Sequence, residues 1–371
     1  MWGYEVDIYH VTTDDGYILE LHRIPSGRMA QDGSRFGEHR PVMFLQHALL
    51  SSSFDWVCNK PEQSAGFVFA DAGFDVWMGN FRGNTYSRRH VEMDPDVNKT
   101  FWDWSIDEHS KYDLPAMIHY VLNETNQPSV YYVGHSMGTL TMFTHLSVSP
   151  HFSKHIKRLF ALAPVASIHN IRGAFSYISR YFGQDIQDFN AKNGPAEILQ
   201  SSKWFKLFVK YTCALYKPIE ELCSDIVTCV VGPVDATWNQ TRVPLYISHT
   251  PAGTSTNVIA HFNQMAAYGN VPAYDMGPER NLEVYGSKLP PLYDYRKIQN
   301  VPIYLYWSSD DWLVTKKDVQ EFLEPHLDAS VLQGSYEISN YNHLHFVWGT
   351  QAAQDIYHPI INIVLREDFA E

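Results

Sequence analysis

The sequence GHSMG at positions 134–138 constrains the fold of this chain more than any other feature. It directly follows the apolar run SVYYV at 129–133 and precedes a run of helical character. A strand, a sharp turn and a helix in that order are the setting in which G-x-S-x-G presents a nucleophilic serine. Gly134 and Gly138 suit such a turn, because a side chain at either position would collide with the neighbouring strand or helix. The pattern predicts a strand–turn–helix element with Ser136 as nucleophile.

Further apolar runs along the chain predict a doubly wound, mostly parallel central sheet with helices on both faces. Residues 4–11 and 17–23 flank the turn signal DDG at 14–16 and predict an antiparallel hairpin. Buried parallel strands are predicted at Pro41–Gln46, Asp75–Met78, Val130–Val133, Leu159–Ala163 and Pro302–Trp307. Helices are predicted at Ser64–Asp71, Ser105–Leu122, Thr139–Ser147 and, interrupted at Pro359, Thr350–Leu365.

A segment from residue 167 to residue 292 interrupts this alternation of strands and helices. Apolar residues within it recur at steps of three and four, which predicts an amphipathic helix. They are Phe175, Ile178, Phe182, Ile186 and Phe189, and Trp204, Phe205 and Phe208 follow. The stripe either packs on the core or belongs to a mobile lid over an apolar cleft. We predict a core of residues 1–166 and 293–371 with a largely helical cap or lid inserted at 167–292.

A nucleophilic serine on such a sheet needs a base and an acid that orients the base, in the chain order serine, acid, histidine. Asp310 and Asp311 follow the predicted strand 302–307, at a carboxyl end where ligand-facing groups lie. Either can serve, although a turn or helix-capping role is the expectation for Asp310. His343 and His345 precede the last predicted helix, and spacing does not choose between them, because residues two apart point to opposite sides of an extended chain.

Attack by the serine on a carbonyl carbon creates an oxyanion, which needs two N–H donors. The backbone of Met137 supplies one, because it directly follows the nucleophile at the positive end of a helix. The other should come from the loop after the predicted strand 41–46, and we assign it to Leu49.

Composition narrows the class of ligand. A formal charge of −13 without a basic cluster argues against nucleic acid as a partner. The four cysteines match no zinc-ligand spacing, so no metal site is expected. The sequence contains no run of about 18 apolar residues, so no transmembrane helix is predicted. The 14% aromatic content exceeds what a core usually needs, and some of these side chains should line an apolar pocket.

Three N-x-[ST] sequons begin at Asn98, Asn123 and Asn239, and they either occur by chance or carry glycans in the secretory pathway. Three cysteines fall within residues 213–229, which suits a short-loop disulfide in an oxidising compartment. The opening residues MWGY lack a charged region followed by an apolar one. We interpret the chain as a mature or truncated form without its signal peptide.

With these residues identified, the chain resembles the acid lipase family, the gastric and lysosomal acid lipases and their invertebrate relatives. The similarity covers nearly the whole chain. It is carried by TDDGYILELHRIP, PVMFLQHALL, DAGFDVWMGNFRGNTYSRRH, KYDLPAMIHYV, YYVGHSMGTL, ALAPVA, SHTPAGTS, NVPIYLYWSSDDWLV and YNHLHFVWG. So many matches in the same order make the resemblance specific.

Carried over residue by residue, the resemblance implies an α/β-hydrolase fold with Ser136, Asp311 and His343 as the catalytic triad. It thereby selects one aspartate and one histidine from the pairs that spacing left open. It also implies Leu49 and Met137 as the oxyanion donors.

The resemblance further implies a cap disulfide between Cys213 and Cys223, with Cys58 and Cys229 unpaired. Family members are secreted or lysosomal glycoproteins that hydrolyse triacylglycerols and sterol esters without a cofactor. The implied partners are a lipid ester and the lipid–water interface at which it lies, such as a lipid droplet or lipoprotein surface.

Three positions depart from the family pattern. Ala48 replaces a glycine before the oxyanion leucine, and its methyl group is expected to narrow the choice of acyl chain. Met137 replaces a glutamine, which the backbone role of this residue tolerates. His345 replaces an aspartate two residues after the base, and we expect this change to alter the electrostatics of the base and the pH optimum.

Two hypotheses of function remain at this point. One is a serine hydrolase that cleaves carboxylic esters of neutral lipids through an acyl-enzyme. The alternative is a non-catalytic lipid-binding or storage protein on the same scaffold, since a fold does not dictate a function. The triad positions Ser136, Asp311 and His343 are all filled, which favours the enzyme.

Overall fold

An eight-stranded sheet forms the centre of the computed structural model, which describes residues 2–28, 40–199, 228, 230–233 and 238–368. The strands are β1 (Asp7–Thr12), β2 (Ile18–Ile24), β3 (Val42–Gln46), β4 (Asp75–Gly79), β5 (Val130–His135), β6 (Ile156–Leu162), β7 (Glu197–Ile198), β8 (Thr254–Ser255), β9 (Ile303–Trp307) and β10 (Leu332–Glu337). The order in the sheet is β1-β2-β4-β3-β5-β6-β9-β10. Strands β7 and β8 form a separate antiparallel pair.

Helices cover the sheet and fill the segment between β6 and β9. They are α1 (Ala65–Asp71), α2 (Ile106–Glu108), α3 (Leu114–Thr125), α4 (Met137–Val148), α5 (Gly173–Asn193), α6 (Val243–His249), α7 (Thr256–Tyr268), α8 (Pro278–Tyr285), α9 (Glu324–His326), α10 (His345–Trp348) and α11 (His358–Asp368). Short 3-10 turns lie at Ser53–Val57, Lys99–Trp102, Pro150–His155, Gln240–Arg242 and Tyr295–Lys297, and π turns at His109–Asp113, Asp318–Leu323 and Ala353–Tyr357.

The pairing of the strands confirms the predicted mostly parallel sheet. Strand β2 runs antiparallel to β1 and β4, and every other neighbouring pair in the large sheet is parallel. Strands β3, β4, β5 and β9 are buried along their whole length, because helices cover both faces of a parallel sheet and leave apolar runs without alternation.

Strand order also explains where a site can form. From β3 the chain turns back to β4 on one side, whereas β5 lies on the other side of β3 and leads on to β6. Neighbouring strands β3 and β5 therefore mark a topological switch point, and the loops at their carboxyl ends diverge to leave a crevice. The turn around Ser136 and the loop around Leu49 both begin at this crevice.

Two differences from the sequence predictions concern the C-terminal part of the core. The edge strand β10 was not predicted, because its sequence LQGSYE is polar and mostly exposed and carries no apolar run. The predicted break at Pro359 lies earlier: the π turn Ala353–Tyr357 ends directly before α11, and Pro359 is accommodated in the first turn of that helix.

The segment 167–292 contains the predicted amphipathic helix as α5, 21 residues long. This helix packs on α7, where Asn190 Nδ2 donates to Asn257 Oδ1 at 3.0 Å. Within the stripe, Phe175 packs against the core, whereas Phe189 is 52% exposed. Trp204, Phe205 and Phe208 lie outside the described residues, and the choice between packing and lid stays open. None of the helices in the described ranges is long and apolar enough to cross a membrane.

Candidate active site

The turn between β5 and α4 holds Ser136 in a strained backbone conformation, with φ 53° and ψ −116°. Non-glycine residues rarely adopt positive φ, and such strain concentrates at functional sites. The turn is fixed on the neighbouring strand, because the Ser136 N–H donates to the Leu162 carbonyl oxygen at 3.0 Å. The strand–turn–helix element expected from the sequence is therefore present.

Both glycines of the turn are required by close packing. A Cβ added to Gly134 would lie 2.9 Å from the carbonyl carbon of Gly138. A Cβ added to Gly138 would overlap the carbonyl oxygen of Gln46, the last residue of β3. The absence of side chains thus lets α4 start against the strand that leads into the Leu49 loop.

Three predicted side chains lie in one hydrogen-bonded series. His343 Nε2 is 2.7 Å from Ser136 Oγ, and His343 Nδ1 is 2.8 Å from Asp311 Oδ2. All three residues are buried. If Nδ1 donates to the carboxylate, Nε2 is left as the acceptor for the serine hydroxyl hydrogen, which is the proton arrangement that a general base needs.

The carboxylate of Asp311 is oriented by its own loop. Its Oδ1 accepts the N–H groups of Leu313 at 2.8 Å and Val314 at 2.9 Å, which leaves Oδ2 directed at the histidine. The turn-capping role that we expected for Asp310 is therefore filled by Asp311. Asp310 lies half-buried next to it, and its N–H donates to Ser308 Oγ at 3.2 Å.

The ring of His345 packs beside the rings of Trp238 and Tyr341. It is fully buried at the start of α10, and its Nδ1 accepts the backbone N–H of Asn342 at 3.0 Å. A carboxylate at this position could accept the same N–H, but it would add a negative charge that a neutral imidazole lacks.

The loop after β3 is oriented by His47. Its Nε2 accepts the N–H of Phe81 at 3.1 Å, which makes Nδ1 the protonated nitrogen and lets it donate to the Ala48 carbonyl oxygen at 2.8 Å. Burial lowers the pKa of His47 to about 3, so the ring stays neutral in acid. Because the C=O and N–H of a trans peptide point in opposite directions, this bond fixes the direction of the Leu49 N–H. Sequence reasoning passed over His47.

His135 connects the turn to the loop of the base. Its Nε2 donates to the His343 carbonyl oxygen at 2.9 Å, and the two rings lie 5.1 Å apart. Burial, with a smaller contribution from His343, holds the pKa of His135 well below its usual range. A neutral ring keeps this link without placing a positive charge next to His343.

The remaining predicted sites are placed only in part. Asn98 and Asn123 are exposed, and Asn239 is half-buried with its Oδ1 accepting from Thr241 Oγ1 at 2.7 Å. Cys58 is a buried free thiol. The predicted pair Cys213–Cys223, like Cys229, lies outside the described residues. Over the ranges that the structure describes, no group of three or more histidine, cysteine, aspartate or glutamate side chains could hold a metal ion.

Family models match most of the chain. The partial α/β-hydrolase lipase region matches residues 1–60, and the α/β hydrolase fold matches residues 41–350. Among solved structures, a putative lipase from Sulfolobus solfataricus has a TM-score of 0.63 over 98% of this chain and 94% of its own, at 16% identity. At that identity the likeness concerns the fold alone.

Sequence relatives are much closer. Lipase lipl-5 of Caenorhabditis elegans is 49% identical over 98% of this chain and 89% of its own length. The human lysosomal acid lipase/cholesteryl ester hydrolase is 39% identical over 98% of this chain and 89% of its own. Human gastric triacylglycerol lipase is 38% identical over 99% of this chain and 89% of its own. The chain therefore belongs to the acid lipase family of α/β hydrolases and is a carboxylic ester hydrolase.

Proposed function

We propose that this protein hydrolyses carboxylic esters of neutral lipids, triacylglycerols, sterol esters or both, through an acyl-enzyme formed on Ser136. The observation that carries the proposal is the hydrogen-bonded series from Ser136 Oγ through His343 to Asp311, at 2.7 and 2.8 Å. The substrate class is supported by the relatives, which are named as triacylglycerol and cholesteryl ester hydrolases.

In the first half of the reaction, Ser136 Oγ attacks the ester carbonyl carbon while His343 Nε2 takes the hydroxyl proton. The carbonyl oxygen becomes an oxyanion that accepts the N–H groups of Leu49 and Met137. When the intermediate collapses, the carbon–oxygen bond to the alcohol breaks and His343 gives its proton to that alcohol. Asp311 keeps the ring oriented and stabilises the imidazolium.

The second half repeats these steps with water. His343 takes a proton from a water molecule, whose oxygen attacks the acyl carbon, and the second oxyanion occupies the same two N–H donors. Collapse breaks the bond to Ser136 Oγ, which regains its proton from His343, and a fatty acid leaves. Each proton that the base accepts is returned, so the enzyme ends in its starting state.

The proposal extends to where and on what surface this chemistry takes place. The relatives include a lysosomal and a gastric lipase, and we propose a secreted or lysosomal destination with glycans on Asn98, Asn123 and Asn239. The water-insoluble substrate requires action at a lipid–water interface, such as a lipid droplet or lipoprotein surface. The residues 167–292 would form the cap over the cleft.

The test compares wild type with Ser136→Ala on triolein, cholesteryl oleate and p-nitrophenyl butyrate between pH 4 and pH 8. Ser147→Ala is the matched control, because Ser147 is a buried serine on α4 whose hydroxyl donates only locally, to the Thr144 carbonyl oxygen at 2.8 Å. We expect Ser136→Ala to lose roughly 10⁴- to 10⁶-fold in kcat and Ser147→Ala to keep its activity.

The non-catalytic lipid-binding alternative is tested in the same samples. An alkyl phosphonate ester should label Ser136 in the folded wild type, and mass spectrometry locates the adduct. Absence of label, or activity that survives in Ser136→Ala, would leave a binding protein as the better explanation. Activity on butyrate but on neither long-chain ester would retain the mechanism and reject the neutral-lipid substrates.

A further inference from the structure

Three residues of the predicted cap, Val231–Pro233, pass between the two loops that carry the acid and the base. We call them the bridging segment. They lie in the middle of the stretch 167–292 by sequence, far from both junctions with the core. Hydrogen bonds nevertheless join them to residues around Asp311 and His343.

One carbonyl oxygen of the bridging segment serves both loops. The Val231 oxygen accepts the N–H of His343 and the N–H of Trp312, the residue after Asp311, each at 3.4 Å. Trp312 is also held on its other side, since its carbonyl oxygen accepts the N–H of Arg172 at 2.7 Å. The acid loop is thus enclosed between two parts of the predicted cap.

Gly232 allows the segment to fit between the loops. Its φ of 110° is in the region that favours glycine, and an added Cβ would lie 2.6 Å from the Asp310 carbonyl oxygen. The same Cβ would lie 3.3 Å from Asn342 Cβ, next to the base. A side chain here would therefore push the acid loop and the base loop apart.

Asn342, directly before the base, fastens the bridging segment with its side-chain amide. Nδ2 donates to the carbonyl oxygens of Gly232 at 3.2 Å and Pro233 at 2.9 Å. Oδ1 accepts the N–H groups of Leu344 at 3.0 Å and His345 at 3.2 Å. All four partners are backbone groups of fixed polarity, so the orientation of the amide is determined and its hydrogen-bonding capacity is filled.

We propose that the bridging segment belongs to the catalytic framework and sets the separation of Asp311 and His343, with Asn342 as a positioning residue. This proposal rests on the proposed triad. The amide of Asn342 forms two hydrogen bonds with the cap and two with the base loop. These four bonds explain why an asparagine stands at this position. Since a displacement of about 1 Å at a catalytic group can cost 100-fold in rate, loosening the segment should act on turnover.

The test uses two matched pairs of variants. Gly232→Ala places a methyl group against the acid loop, whereas Gly277→Ala changes another glycine of positive φ, 89°, whose added Cβ has no atom within 4 Å. Asn342→Ala removes the amide, whereas Asn281→Ala removes another fully buried amide, which accepts from the Met276 N–H and donates to Asp275 Oδ1 and the Lys288 carbonyl oxygen. Each pair carries a similar backbone or desolvation cost.

The readouts are kcat and KM for p-nitrophenyl butyrate per phosphonate-titrated active site, together with the thermal midpoint. We expect Gly232→Ala and Asn342→Ala to lose about 10- to 100-fold in kcat with KM little changed. Gly277→Ala and Asn281→Ala should keep the wild-type kcat even where the thermal midpoint falls. Counting titrated serines excludes unfolded protein from the comparison.

Two results would overturn the inference. One is a wild-type kcat per titrated site in both Gly232→Ala and Asn342→Ala. The other is an equal loss in the test and control variants, which would assign the effect to general destabilisation. Failure of the proposed function is distinguishable, because it would show as a wild type that takes no phosphonate label or as activity that survives in Ser136→Ala.

Discussion

Replacing Asp55 by asparagine should stabilise this protein at neutral pH and have little effect near pH 4. The carboxyl group is fully buried in the turn Ser53–Val57, close to the base loop. Its Oδ1 accepts from Trp348 Nε1 at 3.1 Å and Thr250 Oγ1 at 3.4 Å, and its Oδ2 accepts from the Ser51 hydroxyl. All three donors are neutral, so they offset the cost of burying a negative charge only in part.

Burial raises the pKa of Asp55 from 3.8 to about 6, and the three hydrogen bonds oppose this only in part. The folded state therefore holds a proton that the unfolded chain has already lost between these two values. By linkage, the contribution to stability is complete below pH 3.8 and is lost as the pH rises to about 6. At about 1.4 kcal/mol for each pKa unit, the loss at neutral pH is about 3 kcal/mol.

An amide at position 55 is isosteric, can still accept from Trp348 Nε1 and can donate to the Ser51 hydroxyl, so it keeps the contacts without the charge. Urea unfolding of wild type and Asp55→Asn at pH 4 and pH 7 measures the difference in unfolding free energy. Other titrating groups cancel in that difference. We expect it to move by about 2 kcal/mol in favour of the variant from pH 4 to pH 7. A difference that does not change with pH, or a variant less stable at pH 7, would refute the reasoning.

Three further changes test the site. Asp311→Asn should lower kcat for a soluble ester about 10⁴-fold and Asp310→Asn should have little effect, and the opposite ranking would reassign the acid. His47→Phe removes the Nδ1 bond to the Ala48 carbonyl and should lower kcat about 100-fold at similar KM. An unchanged kcat would show that the loop after β3 keeps its conformation without this bond. Gly138→Ala forces a methyl group into the backbone of β3 and should reduce the unfolding free energy by about 2 kcal/mol in urea, whereas a wild-type value would mean that the turn relaxes.

Local sequence patterns predicted the parts of the molecule whose structure is decided locally. The apolar runs of β3, β5 and β9 are unmistakable because both faces of these strands are buried. The turn around Ser136 was predictable because the contacts that require its two glycines are local. Gly134 packs against residues at most five positions away, and Gly138 packs against the end of one adjacent strand. The polar edge strand β10 has neither signal, since only its pairing with β9 makes it a strand.

Local sequence patterns could not predict which side chains from distant parts of the chain meet in the site. Order along the chain limited the acid to Asp310 or Asp311 and the base to His343 or His345, but the choice depends on which side chain meets Ser136 in space. Resemblance to a family made that choice, and in the structure His343 contacts both Ser136 Oγ and Asp311 Oδ2. Asn342, which directly precedes His343, was not identified from the sequence. Its four hydrogen-bond partners lie in two segments that are more than 100 residues apart along the chain.

The same contacts limit what a lid in this enzyme can do. Besides the bridging segment at residues 231–233, further described points of the predicted cap are bonded to the loops around the proposed catalytic residues. The Arg172 N–H donates to Trp312 in the acid loop at 2.7 Å, and the Ala252 N–H donates to the carbonyl oxygen of Leu50, next to the proposed oxyanion donor, also at 2.7 Å. Because these bonds hold the loops that carry the proposed triad and the proposed oxyanion donor, an opening movement that preserves the site is confined to the stretches between them. Removing residues 167–292 would therefore disturb the chemistry itself, and only substitutions between the tied points can test for a lid.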